Sequence, residues 1–119
     1  AQDGSNATYA PVLKKEDGEI DWTKTARDIK NLIRGLYPWP GAFTRWKGRT
    51  IKVHSGRVVE GEARGPAGTV AGVSKEGILV ACGSGLFEIT ELQPENKRRM
   101  PAGDFVQGYR ITEGERFAG

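Results

Sequence analysis

The sequence predicts a mainly β protein, a small barrel or sandwich with one helix ahead of the strands and a short helix behind them. Three observations carry this. Five or six short runs of alternating or apolar residues follow one another at intervals punctuated by turn residues. Seventeen of the 119 residues are glycine, about twice the usual share, which suits many tight turns. One stretch only, residues 22–36, carries apolar residues at helical spacing over several turns.

Residues 1–17 are small, polar and charged without periodicity and read as a linker, with residues 18–119 as the folded domain. Asn6-Ala7-Thr8 matches a glycosylation sequon, but nothing else suggests secretion. In the helix, Trp22, Ala26, Ile29, Leu32, Ile33 and Leu36 share a face, while Lys24, Arg27, Asp28, Lys30 and Asn31 fall between them toward solvent. Asp21, Thr23 or Thr25 is the candidate cap, and Gly35 or Pro38 the terminator. Arg34 to Phe43 then forms an aromatic corner around Pro38-Trp39-Pro40 that turns the chain into the strands.

Strands follow at Thr50–His54, resuming at Val58-Val59 after Gly56, then at Thr69–Val73, Ile78–Cys82 and Leu86–Leu92. Lys75-Glu76-Gly77 reads as a hairpin turn. In the last strand Leu86, Glu88, Thr90 and Leu92 alternate with Phe87, Ile89 and Glu91. Ala102–Gly108 supplies the short second helix, with Pro101 suited to its first turn. Tyr109–Phe117 returns as a final strand or cover, and a closed barrel would remove open strand edges.

Composition narrows the function classes. No apolar run approaches the length that spans a bilayer, so no membrane partner is expected, and a cytoplasmic location is. One cysteine and one histidine preclude a Cys/His metal cluster, and no nucleophile, base and oxyanion site assemble along the chain. Cys82 ends the most apolar strand and reads as a small hydrophobe; His54 has no catalytic neighbour. Glu60 and Glu62 occupy alternate strand positions and could share a face, although loop solvation accounts for them equally.

The basic residues say more. The net charge is only +3, from 18 basic against 15 acidic residues, so the case for a polyanion rests on clustering. Arg45, Lys47, Arg49 and Lys52 crowd one strand-turn-strand around Trp46; Lys97-Arg98-Arg99 forms a run in a loop; Lys14 and Lys15 add two more in the linker. Cations beside an aromatic can track a phosphate backbone, and a solvated surface is the competing reading.

Four stretches in this order resemble a known family: Ala7-Thr8-Tyr9-Ala10-Pro11 with Lys15 to Trp22; Asn31-Leu32-Ile33-Arg34-Gly35-Leu36-Tyr37-Pro38-Trp39-Pro40-Gly41-Ala42; Gly83-Ser84-Gly85 leading to Leu92-Gln93-Pro94-Glu95-Asn96-Lys97-Arg98-Arg99-Met100; and Ala102 to Gly108. Together they are similar to the linker and C-terminal domain of the methionyl-tRNA formyltransferases, over nearly the whole chain. Thr25, where that family often has proline, and Pro101, where it often has serine, depart from the pattern.

The resemblance implies an OB-like barrel that holds initiator methionyl-tRNA. The formyl transfer from 10-formyltetrahydrofolate would take place in a separate N-terminal catalytic domain, an expected partner of this one. Because the sole methionine is Met100, the chain is expected to be a piece of that longer protein, inactive alone, monomeric and without a cofactor of its own. The expected tRNA-binding residues are Lys14, Lys15, Arg45, Lys47, Arg49, Lys97, Arg98 and Arg99. The alternative is a packing barrel from a related formyltransferase with a small-molecule substrate.

Overall fold

The computed structural model describes residues 18–37, 41–62 and 65–118. The expected linker, with the sequon, Lys14 and Lys15, lies outside the described residues, as does the Pro38-Trp39-Pro40 centre of the aromatic corner.

The chain enters through a turn in which the Asp21 carboxylate accepts from the Thr23 amide at 3.0 Å. Helix α1, Ala26–Leu36, starts one step later. Thr25 is its cap, accepting from the Asp28 amide at 3.0 Å and satisfying a donor the first turn would otherwise orphan. Gly35 stays within the helix, which ends at Leu36. Tyr37, the residue before a proline, takes extended backbone at φ −80 and ψ 136, as the clash with a proline ring requires. Ala26, Ile29, Ile33 and Leu36 are buried, so the predicted face is the packed one.

Six strands follow: β1 Ala42–Trp46, β2 Arg49–Val59, β3 Val70–Ser74, β4 Gly77–Ala81, β5 Leu86–Pro94 and β6 Met100–Pro101. Helix α2, Ala102–Tyr109, comes next. All pairings are antiparallel, in the order β1-β2-β5-β4-β3, with β6 also on β5. Helix α1 packs over β2, and α2 covers β3, β4 and β5. Between them lies one core that includes Trp22, Trp46, Ile51, Val53, Val80, Phe87, Ile89, Leu92, Phe105 and Phe117. Each fully buried aliphatic or aromatic side chain contributes about 1.5–3 kcal/mol.

The mainly β architecture with a helix near each end is as the sequence predicts. Three details differ. First, β2 runs unbroken through Gly56, because a bulge at His54 and a compensating extra residue at Thr90 absorb the irregularity. A Cβ at Gly56 would lie 2.3 Å from the Phe87 ring, so only glycine lets the strand sit on that ring. The same irregularity resets the phase of β5, which buries Phe87 and Ile89 and then Leu92 rather than a strictly alternating set.

Second, β2 ends at Val59, so Glu60 and Glu62 lie beyond the strand, both exposed. Third, the strand ladder does not close into a barrel. The open edges of β1 and β3 are instead spanned by the C-terminal tail through two isolated bridges, Arg45 with Ala118 and Thr69 with Arg116. Arg45 and Ala118 exchange backbone hydrogen bonds of 2.9 and 2.8 Å, and the Val70 amide donates to the Glu115 carbonyl at 2.7 Å. The tail therefore acts as a cover, too short and irregular for a full strand, and it satisfies edge groups that would otherwise invite another chain.

Candidate nucleic-acid interface

The β1–β2 hairpin brings Trp46 opposite Arg49 across a two-residue turn, Lys47-Gly48. Both turn residues have positive φ, 51° and 78°, the conformation that matches the twist of paired strands. Lysine adopts it at a cost of about 1 kcal/mol. The β5–β6 connection, residues 95–99, reverses through Asn96 at φ 64. Register puts the two turns at the same end of the sheet. Ile51 pairs with Pro94 and Lys52 with Gln93, while the Glu95 amide donates to the Thr50 carbonyl at 2.9 Å. Gln93 in turn donates to the Lys97 carbonyl at 2.9 Å, fixing the second turn beside the first.

Two clusters about two fifths of the chain apart are thereby joined. Arg49, Lys52, Lys97 and Arg98 are all exposed at this end. Among the described residues none of the four forms an ion pair. The other three candidates are held differently. Arg45 lies over the Phe43 ring, 5.5 Å from its centre, and pairs with Glu19 at 2.8 Å. Lys47 lies 4.9 Å over the Trp46 ring and 3.5 Å from Glu115. Arg99 pairs with Glu91 at 2.6 Å and reaches the Tyr37 hydroxyl at 3.4 Å, so it belongs to the side facing α1. Glu19, Glu91 and Glu115 are acids that sequence proximity gives no means of assigning.

Glu115 fastens the tail beneath this end. Burial works against its charge, but the Thr112 amide at 2.6 Å, the Thr112 hydroxyl, the Trp46 indole at 3.1 Å and Lys47 together outweigh it. Its carboxyl sits below the ordinary value as a result. Beside it, buried Thr44 donates to the Ala118 carbonyl at 2.6 Å and accepts from the Trp22 indole at 3.0 Å.

The remaining singled-out residues are structural. Burial raises the Cys82 thiol to about 11, which makes it a poor nucleophile at neutral pH. His54 shares a 2.8 Å hydrogen bond with Gln93. Among the described residues no group of three potential ligands could hold a metal, and no helix is long and apolar enough to cross a membrane.

The described polar groups of this end are mostly cations and amides, with one carboxylate, Glu95, accepting from the Thr50 amide at 3.4 Å; the cations can hold an anion and position it. Fold and charge distribution together define a small, open antiparallel β domain with a basic sheet end. Its lineage is specific: residues 12–110 match the formyl transferase C-terminal domain, and the chain belongs to that family. It is 50% identical over 113 residues to the methionyl-tRNA formyltransferase of Geotalea daltonii, covering 95% of this chain and 36% of that protein. To the methionyl-tRNA formyltransferase of Geobacter sulfurreducens it is 47% identical over 115 residues, 97% of this chain and 36% of that protein. The chain thus spans about a third of the length of these relatives. Among solved structures, a substituted variant of HypX from Aquifex aeolicus superposes with a TM-score of 0.69 at 16% identity, over 89% of this chain and 19% of that one. That likeness concerns the fold alone.

Proposed function

We propose that this chain is the tRNA-holding C-terminal domain of a methionyl-tRNA formyltransferase, residues 1–17 serving as linker to a catalytic domain and residues 18–119 as the holding domain. The observation that carries the reading is the near-50% identity to enzymes of that name over almost the entire chain. The convergence of Arg49, Lys52, Lys97 and Arg98 at one sheet end supports the mode of action.

The parent protein transfers a formyl group from 10-formyltetrahydrofolate to the amino group of methionyl-initiator tRNA in translation initiation, in the cytoplasm. No residue of this chain is assigned to the folate. The contribution of this domain is positional. Unpaired cations neutralise phosphates and release condensed counterions, giving affinity with little base readout. Holding the tRNA body makes delivery of its aminoacyl end to the catalytic domain effectively intramolecular. Lys14 and Lys15 of the linker, with Arg45, Lys47 and Arg99, are further candidates for tRNA contact, and the domain acts as a monomer.

Titration of this chain with initiator tRNA at two salt concentrations tests the reading. Affinity that falls steeply with salt, with a slope near 0.9 per phosphate contacted, is expected. Absence of binding at low salt would remove the holding role.

A further inference from the structure

A cleft of about 440 Å³ lies between α1 and the bulged part of β2, reaching the last residue of the β5–β6 connection, Arg99. Small-ligand clefts run from about 300 to 1,000 Å³. Lys30 and Arg34 stand on its helical side at i,i+4 spacing, where like charges repel, and Arg99 closes the far side. Among the described residues neither Lys30 nor Arg34 has an ion-pair partner; Arg99 has Glu91. Three cations therefore face one carboxylate, with His54 as the remaining titratable group on the strand side.

Tyr37 stands at the rim and is 54% exposed, an unusual state for a large aromatic ring. It is held in place rather than loose. Arg99 lies 5.9 Å over its ring, and the His54 ring meets it edge-on at 6.3 Å. Phe87 and Gly56 form the inner wall, the strand lying directly on the ring because Gly56 has no side chain. Unpaired cations around a fixed, exposed aromatic are the pairing that recognises a phosphate joined to a planar base. A base within a duplex offers only its edges and could not reach the ring face.

We infer that this cleft binds one unstacked nucleotide, its phosphate held by Lys30, Arg34 and Arg99 and its base stacked on Tyr37. The inference rests on the RNA-binding reading above and adds a second, base-contacting point that the phosphate-binding rim lacks. The nucleotide belongs either to a single-stranded part of an RNA chain or to a free mononucleotide.

The test uses the whole chain with two probes, a short single-stranded oligoadenylate and AMP. Lys30→Ala/Arg34→Ala and Tyr37→Ala are each expected to weaken oligoadenylate binding about tenfold, the scale of one stacked base, while Tyr37→Phe keeps it. AMP binding with the same variant pattern identifies a lone nucleotide as sufficient; oligoadenylate binding without AMP binding identifies an RNA segment. Circular dichroism of each variant establishes that it is folded. Absence of oligoadenylate binding by the unaltered chain, or equal affinity across the variants, overturns the inference. Arg49→Ala/Lys97→Ala/Arg98→Ala separates the two readings, since it should weaken folded tRNA while leaving the roughly tenfold effect of Tyr37→Ala on oligoadenylate binding unchanged.

Discussion

Two neighbouring regions use the same residue types to opposite ends. Along the tail seam, charges and dipoles are matched inside the molecule: Arg45 with Glu19, Lys47 with Glu115, the Trp22 indole with Thr44 and the Trp46 indole with Glu115. At the adjoining sheet end, Arg49, Lys97 and Arg98 are exposed and have no ion-pair partner among the described residues. Exposed ion pairs add little stability, so the seam depends on its buried parts. Cations left without partners do nothing for the fold and keep their full attraction for an external anion. The difference separates residues that hold the sheet together from residues available for binding.

That separation can be broken most severely at the tail. Phe117→Ala removes a ring that is 2% exposed and stacked 6.0 Å from Trp22, and should cost about 3–5 kcal/mol in chemical denaturation. A loss below 1 kcal/mol would mean the tail does not close the sheet. Thr44→Val keeps the shape but strips two hydrogen bonds, stranding the Trp22 indole and the Ala118 carbonyl. The expected cost is about 1–3 kcal/mol, read from the urea midpoint.

Acid sharpens the comparison with a smaller effect. The folded Glu115 carboxyl titrates below its unfolded value, so its contribution is present above the ordinary carboxylate range near about 4.3 and is lost as pH falls through the folded value. Glu115→Gln should flatten the acid limb of stability by less than about 1 kcal/mol, the solvent-screened scale of a partly exposed group. An unchanged acid limb in that variant would remove Glu115 from the seam.

Much of this was readable in the residues. The face of α1 follows from the spacing of Ala26, Ile29 and Ile33, and the hairpins follow from Lys75-Glu76 and the glycine-marked turns. The phase of β5 was not, because the bulge at His54 and the extra residue at Thr90 depend on pairing rather than on local alternation. Nor was the way the ladder stays open, since two bridges made by Arg116 and Ala118 leave no periodic pattern. At the candidate interface, sequence clustering found the cations, but their sorting into paired and unpaired needed acids far along the chain, as for Glu19 with Arg45, 26 residues away, and Glu115 with Lys47. The cleft at Tyr37 left one trace, the i,i+4 spacing of Lys30 and Arg34, which reads equally as a solvated helix face.

The most direct measurement sets Arg49→Ala/Lys97→Ala/Arg98→Ala beside the unaltered chain, in both urea denaturation and salt-dependent binding of initiator tRNA. The account predicts stability within about 0.5 kcal/mol of the unaltered chain, as for surface changes. It also predicts weaker binding, with a salt slope lower by about one unit per cation removed. Lost stability with unchanged tRNA affinity and salt slope would contradict it, returning these three residues to the fold.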